Sequence, residues 1–487
     1  MKIFRQNWSR TPGIAAASSI VIGILLLGET MAYAQVTRSA DNDVIADDNR
    51  SFANPSQSPT QTDPVFKPSP SGTTRTAGKP RENVTYQDKM TGDWGGLRTQ
   101  LHDRGVDVEL KYVSESAANP IGGQNKGAAY TQQVSLGAKL DLDKLAGLQG
   151  AQAVITLNDR VGTDLKPIIG SLQSPQEVFG AGQNARISEM YYTQQLWSDL
   201  IELKVGFSPV GDDYNTSELY CYFQSGVHCG HTPALSTNIV AFNYPTGAWG
   251  GRVKIQGFSE SYVQTGIYQV NPNAGSPGSG FDLGFHGTGV LVPIEFGWLP
   301  ASGLGGLPGK YKIGAYYDSS SYADVLRDIN GNNAGITGLP MLTDLGRWGG
   351  WLQGEQMVYR EPGSHNRGVT VFGVIAFGDQ RTSQYTWTGA VGLVQKGVAS
   401  RDDDYISVAV ARVHLNGNSV LYQQGLNVVK PGSVNVATEE TIYEINYGAQ
   451  VTPWFLLRPN LQYIQRPGGT GVIPNTFVVG LTATVDF

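Results

Sequence analysis

Four stretches of this chain place hydrogen-bonding side chains at every second position. Glu202 and Lys204 alternate with Ile201, Leu203 and Val205; Arg252, Lys254 and Gln256 alternate with Val253 and Ile255. Glu444 and Asn446 alternate with Tyr443 and Ile445, and Arg458, Asn460 and Gln462 share one parity beside Leu457 and Leu461. In an extended chain a spacing of two puts such groups on a single face. A face of carboxylates, amides, ammonium groups and guanidinium forks offers donors and acceptors in fixed rows, which suits reversible hydrogen bonding to a polar solute. Covalent chemistry finds no comparable support. The chain carries no G-x-S-x-G, H-E-x-x-H, P-loop or G-x-G-x-x-G motif, and its six histidines fall mostly in expected loops. An enzyme whose residues converge only in space is the main rival class, and no cofactor is expected.

The two cysteines, Cys221 and Cys229, lie in C-Y-F-Q-S-G-V-H-C. In a secreted chain two thiols that close together are expected to form a disulfide. A zinc site from these cysteines with His228 and His231 is the alternative, but adjacent His228 and Cys229 fit no structural zinc spacing, so no metal is expected.

The elements that must position the polar rows are strands, because the partner face of each is apolar. Val106, Val108, Leu110 and Tyr112 alternate with Asp107, Glu109 and Lys111; Val134, Leu136, Ala138 and Leu140 alternate with Gln133, Ser135, Lys139 and Asp141. The last strand, Phe477 to Phe487, has Phe477, Val479, Leu481, Ala483, Val485 and Phe487 on one face, and the chain stops there on an aromatic residue. Lipid outside and water inside explain the whole set, and one antiparallel sheet closed on itself leaves no edge in lipid. The final strand of a soluble sandwich, as in a secreted lectin-like protein, is the competing explanation. Two segments, Val369 to Gly378 and Tyr405 to His414, are apolar in part on both faces, which predicts bulges, packing against an inward loop, or a different register. The polar tracts Asn271 to Gly280 and Asn330 to Gly338 read as extracellular loops.

The first residues give an address. Lys2, Arg5 and Arg10 precede an uncharged stretch from Ile14 to Gly28 and then Ala32-Tyr33-Ala34, which predicts a cleaved signal over 1–34. Residues 35–85, rich in Pro, Ser, Thr, Asp and Asn, are expected to be disordered or a periplasmic spacer. The remainder, 86–487, reads as one barrel domain. A mean hydropathy of −0.21 with 16% charged residues fits a protein that shows lipid only alternate side chains. The 62 Gly, 23 Tyr and 9 Trp suit turns and interfacial aromatic girdles. A net charge of −6 without any basic run gives no support to nucleic acid as a partner, and none is expected. The fold class is therefore all-β: a transmembrane antiparallel β-barrel of about 16 strands, with 18 as the alternative count.

Against this frame T-G-D-W-G-G-L-R, from Thr91 to Arg98, and the tail segments Y-E-I-N-Y-G-A-Q-V-T-P-W and L-Q-Y-I-Q-R-P-G-G strongly resemble the carbohydrate-selective porin family typified by OprB. Arg186 to Gly230, with Y-Y-T-Q-Q, L-K-V-G-F and the cysteine loop, is similar to it too. The resemblance implies a monomeric or weakly self-associating 16-stranded barrel in the outer membrane of a Gram-negative bacterium, surrounded by outer-membrane lipid. It would admit small sugars or polyols by facilitated diffusion. A general-diffusion or anion-preferring porin is the nearest alternative.

A sugar's hydroxyls are donors and acceptors at once, so Glu202, Lys204, Arg252, Lys254, Gln256, Glu444, Asn446, Arg458, Asn460 and Gln462 are the expected lumen contacts. The Thr91 to Arg98 motif adds Asp93, Trp94 and Arg98. Asp93 is expected to cap a short helix from about Gly95 to Arg104 before the first strand. Those three residues then either flank the sugar path or, on the favoured reading, anchor the chain at the membrane interface and barrel rim.

Overall fold

The computed structural model describes residues 86–364 and 367–487. The expected signal (1–34) and spacer (35–85) lie outside the described residues. Sixteen strands follow one another: β1 Val106–Ile121, β2 Ala128–Asp141, β3 Ala151–Gly162, β4 Ala185–Leu196, β5 Ile201–Ser208, β6 Ala248–Gln256, β7 Ser261–Val270 and β8 Gly289–Trp298. The second half is β9 Gly309–Asp328, β10 Met341–Arg360, β11 Gly368–Gly378, β12 Tyr385–Val398, β13 Arg401–Leu415, β14 Glu439–Thr452, β15 Phe455–Gln465 and β16 Thr476–Asp486. Each strand pairs antiparallel with its neighbour in sequence, and β16 closes on β1 with Tyr112 opposite Val485 and Glu115 opposite Thr482. The count is 16 rather than 18.

Period-two alternation decides which residues meet lipid. On β2 Val134 and Leu136 are exposed while Thr131, Gln133 and Ser135 are buried. The same holds around the barrel, with Leu203, Val205, Val253, Ile255, Ile445 and Leu461 all exposed. Among the described residues no helix is long and apolar enough to cross a membrane. The strands do the crossing.

The two ends of the barrel differ. The connections 197–200, 257–260, 399–400 and 453–454 are short, whereas 163–184, 209–247, 271–288 and 416–438 are long and lie at the other end. Short turns mark the periplasmic side and long loops the extracellular side. Both expected extracellular tracts, 271–280 and 330–338, fall at the long-loop end.

Two of the long connections do not stay outside. Segments 163–184 and 209–247 fold back into the barrel and are largely buried there. Their presence explains the two strands that are apolar on both faces. Phe372, Val374 and Ala376 of β11, Ala390 and Val394 of β12, and Ala409, Ala411 and Val413 of β13 form one apolar cluster with Tyr220, Phe223, Val227, Leu235, Ile239 and Phe242 of the inserted segment. The rings of Tyr220 and Phe223 meet Phe372 edge-on, with centroids 6.2 and 5.7 Å away. Burying each of these large side chains contributes roughly 1.5–3 kcal/mol relative to leaving it in lumen water. Of the three explanations the sequence allowed, packing against an inward loop accounts for this wall. Three strands beyond β13, Gly480 of β16 lets Gln224 approach closely, since a Cβ there would stand 2.7 Å from Gln224 Nε2.

Candidate functional site

The polar rows point inward, as their spacing requires, and Glu444, Arg458, Lys204 and Arg252 end on the inserted segment 209–247. Glu444 accepts from the backbone N–H of Gln224 (2.7 Å) and Ser225 (3.0 Å) and lies 3.2 Å from His228 Nδ1. Asn460 donates to Glu444, and Asn446 Nδ2 lies 3.3 Å from it. Arg458 donates to the carbonyl of Cys221 at 2.5 Å, and Gln462 donates to the carbonyl of Pro175 at 2.9 Å. Lys204 pairs with Asp213 at 2.9 Å; Arg252 pairs with Asp213 at 3.2 Å and also with Glu202. These residues form two groups, one on β5 and β6 at Asp213 and one on β14 and β15 at Gln224, Ser225 and Cys221, and each holds an inserted chain to its wall. A carboxylate facing two backbone N–H groups satisfies donors that would otherwise be buried without partners. Lys254 lies 4.4 Å from the Tyr262 ring centroid, and Gln256 closes the periplasmic end of β6.

Asp93, Trp94 and Arg98 sit at the periplasmic rim. The helix runs Leu97–Asp103 and its N-cap is Gly96, at φ 96°, rather than Asp93. Asp93 still serves the helix start, because its carboxylate accepts from Thr99 N at 2.8 Å and Thr99 Oγ1 at 2.9 Å. Arg98 is buried, bonded to the carbonyls of Gly92 (3.0 Å) and Phe487 (2.8 Å), with its guanidinium 4.1 Å from the Trp94 ring and 5.0 Å from the Tyr86 ring. Arg98 thereby ties the segment ahead of β1 to Phe487, with Trp94 stacked on its guanidinium and Asp93 holding the helix start. The side-chain carboxylate expected as the partner of Arg98 is replaced by the main-chain oxygens of Gly92 and Phe487.

The expected disulfide is not formed in the structure. Cys221 and Cys229 both carry thiols, and the buried Cys229 thiol is pushed up by burial and by its hydrogen bond to Cys221. Among the described residues no group of three or more His, Cys, Asp or Glu is arranged to hold a metal ion.

A chamber of about 340 Å³, with four charged side chains set among apolar ones such as Leu219, Leu299, Met357 and Val394, lies on the periplasmic side of the inserted segment. Glu218 and Tyr222 of that segment form its roof, and Lys310 of β9, Glu355 of β10 and Lys396 of β12 form its wall. Lys310 Nζ stands 3.8 Å from Glu218 and 3.9 Å from Glu355, and Lys396 Nζ lies 5.2 Å from the Tyr222 ring centroid. Two ammonium groups and two carboxylates leave the chamber without net charge, beside one aromatic face. Larger hollows of about 610 and 740 Å³ open among Ile313, Leu352 and Ile375 and among Val391, Val408 and Ile445. Those are apolar and face lipid, so they lie off any solute path.

Sequence reasoning missed these chamber residues. The alternation Lys310-Tyr311-Lys312-Ile313 carries the same period-two signal as the rows it did find. It also missed Arg160 of β3, whose Nε donates to Gln133 at 2.8 Å while Nη1 and Nη2 have no partner among the described residues. Glu177 of segment 163–184, which acts on Arg160 electrostatically, has one carboxylate oxygen in the same condition.

Comparison with known proteins agrees with this architecture. The model of the carbohydrate-selective porin, OprB family, matches residues 125–487. Porin B of Pseudomonas aeruginosa is 34% identical over 415 residues, covering 82% of this chain and 91% of that protein. The putative porin QuiX of Acinetobacter baylyi is 29% identical over 421 residues, covering 82% of this chain and 93% of that protein. The high pH structure of Pseudomonas putida OprB superposes with a TM-score of 0.79 at 34% identity, over 84% of this chain and 100% of that one. A closed 16-stranded barrel, an inward-folded constricting segment and matches of this extent lead to one conclusion: this chain belongs to the carbohydrate-selective porin family of the Gram-negative outer membrane.

Proposed function

We propose that this protein passes small neutral carbohydrates, glucose-like sugars or polyols, into the periplasm by facilitated diffusion, and that the chamber around Lys310 is where they are held. The observation that carries the reading is the compensation of Lys310 by Glu218 and Glu355. A chamber with donors, acceptors and an aromatic face but no net charge favours a hydroxyl-rich neutral solute over an anion. The rows at Glu444, Asn446, Asn460, Gln462, Arg458, Arg252, Lys204 and Glu202 act one step removed, by holding the segment that narrows the lumen. Arg160 and Glu177 supply further hydrogen-bonding capacity where that segment meets the wall. On this reading the protein is a channel without catalytic activity, bounded by lipid, and it works without cofactor or metal.

The test is reconstitution followed by uptake of labelled glucose, a polyol and an amino acid, with single-channel block by each. Saturable sugar uptake and sugar block that weakens in Lys310→Gln support the reading. Equal, unsaturable permeation of all three solutes makes the protein a general-diffusion porin, and preferential anion passage makes it an anion porin.

A further inference from the structure

The outer surface of the barrel carries a patch that the passage of solutes does not use. Strand register sets it out row by row. Val391, Val410, Tyr443, Tyr463, Phe477 and Ile121 stand opposite one another across β12, β13, β14, β15, β16 and β1. The Tyr443, Tyr463 and Phe477 rings touch in sequence, with centroids 6.0 and 4.8 Å apart. The row on the periplasmic side of them, Leu393, Val408, Ile445, Leu461 and Val479, is exposed and wholly aliphatic. An aromatic row above an aliphatic band marks the level where hydrocarbon gives way to headgroups, here in the outer leaflet.

Above that row the outward positions turn cationic. Arg412 lies two residues beyond Val410 with its side chain 50% exposed. Arg466 follows β15 with its side chain 40% exposed. Glu439 is the one carboxylate between them, at 3.7 Å from Arg412 and 4.0 Å from Arg466, too far for a hydrogen bond to either. His414 is stacked on Trp387, with ring planes 13° apart and centroids 5.5 Å apart, and forms the edge of the patch. Two guanidiniums loosely sharing one carboxylate leave an excess positive charge on an outward face. Such a face is costly in hydrocarbon and close to neutral at the interface, and becomes favourable when an anionic headgroup lies against it.

We infer that Arg412 and Arg466, above the Tyr443–Tyr463–Phe477 row, bind the phosphorylated headgroup of an outer-leaflet glycolipid. Guanidinium forks match phosphate oxygens in a bidentate way, and the ring row below receives the acyl chains. Arg412 shares the lipid-facing parity of Val408 and Val410, and Arg466 meets Glu439 and Thr438 beyond the end of β15, away from the chamber around Lys310, so the inference stands apart from the choice of solute.

Native mass spectrometry of the detergent-extracted full chain, titrated with bisphosphorylated lipid A, its dephosphorylated form and inorganic phosphate, tests it. The wild type should prefer the phosphorylated lipid, and Arg412→Gln with Arg466→Gln should weaken that binding by about fivefold per arginine removed. Glu439→Gln should tighten it, while heat-modifiable migration and glucose uptake stay at wild-type values in both variants. Equal binding of the two lipids overturns the site, as does a Glu439→Gln variant that binds no tighter than wild type. Full competition by inorganic phosphate replaces the lipid by a soluble anion and overturns it equally.

Discussion

Arg98 Nη2 lies 2.8 Å from the carbonyl oxygen of Phe487, so the residues ahead of the first strand are bonded to the last residue of the chain. Met90 N adds a second link, to the carbonyl of Asp486, at 2.8 Å. The seam between β1 and β16 is therefore backed by a clamp at its periplasmic end. Replacing Arg98 by Ala removes a hydrogen bond from a charged donor to the half-buried main-chain oxygen of Phe487, of the order of 1.5–3 kcal/mol. The folded-to-unfolded shift in gel mobility should occur at lower temperature than in the wild type, with sugar permeation unchanged below the transition. A variant that melts at the wild-type temperature would show that the clamp contributes nothing.

Glu444 is the acceptor that docks the turn at Gln224, Ser225 and His228. Glu444→Ala strands those donors inside the barrel at a cost of roughly 1–3 kcal/mol, enough to undock the segment locally while the barrel persists. Single-channel recordings should show larger and noisier conductance, with poorer discrimination between a mono- and a disaccharide. Arg458→Ala, which loses the bond to Cys221, should act in the same direction. Unaltered conductance in both would place the segment's anchorage elsewhere.

Phe372 receives Tyr220 and Phe223 on the apolar wall. Truncating it to Ala should cost about 3–5 kcal/mol, borne by the inserted segment more than by the strand ladder. Limited proteolysis should then cut within 209–247 while the barrel fragment stays heat-modifiable. Loss of the folded barrel itself would mean that the segment and the wall form a single cooperative unit.

Charge in the chamber gives a fourth handle. Glu355→Gln leaves Lys310 with only Glu218, and the chamber gains one positive charge. Reversal potentials in a salt gradient should move toward anion selectivity, and block by a sugar acid should strengthen relative to glucose. An unmoved reversal potential would show that ions bypass this chamber.

Acid should loosen the inserted segment through His231, which packs beside Phe242 with its Nδ1 2.7 Å from Asn243 Oδ1. The segment enters and leaves at the extracellular end. Burial pushes the imidazole down to about 4, whereas an unfolded histidine titrates near 6.5. The fold accepts the neutral ring, so this contribution is complete above about pH 6.5 and is lost as pH falls toward 4. Protease sensitivity of 209–247 should rise across that interval in the wild type and rise less in His231→Gln. Equal pH dependence in the two would assign the effect to other groups.

Alternation alone was enough to read the barrel, its lipid face and the inward row at Arg458, Asn460 and Gln462, because period two fixes which side of a strand a residue occupies. It could not show what those residues touch. Glu444 meets Gln224 across a long stretch of chain, and nothing local to either predicts the other. Phe372 and Val413 did leave a trace, an apolar residue where the lumen called for a polar one, and that excess marked the docking wall. Lys310 and Lys396 show the reverse case. Their inward parity is legible, yet the chamber exists only because Glu218 and Tyr222 are carried in by the inserted segment. Helix capping misled slightly, since Asp93 bonds into the first turn from outside the position of the cap itself.

The apolar wall formed by β11, β12 and β13 has a consequence for what the channel keeps out. With Phe372, Val374 and Val413 bare, the lumen would hold out an apolar strip to any bile salt or amphiphilic antibiotic that reached it. Segment 209–247 fills that strip with the chain's own side chains, so amphiphiles entering from outside meet a surface already occupied.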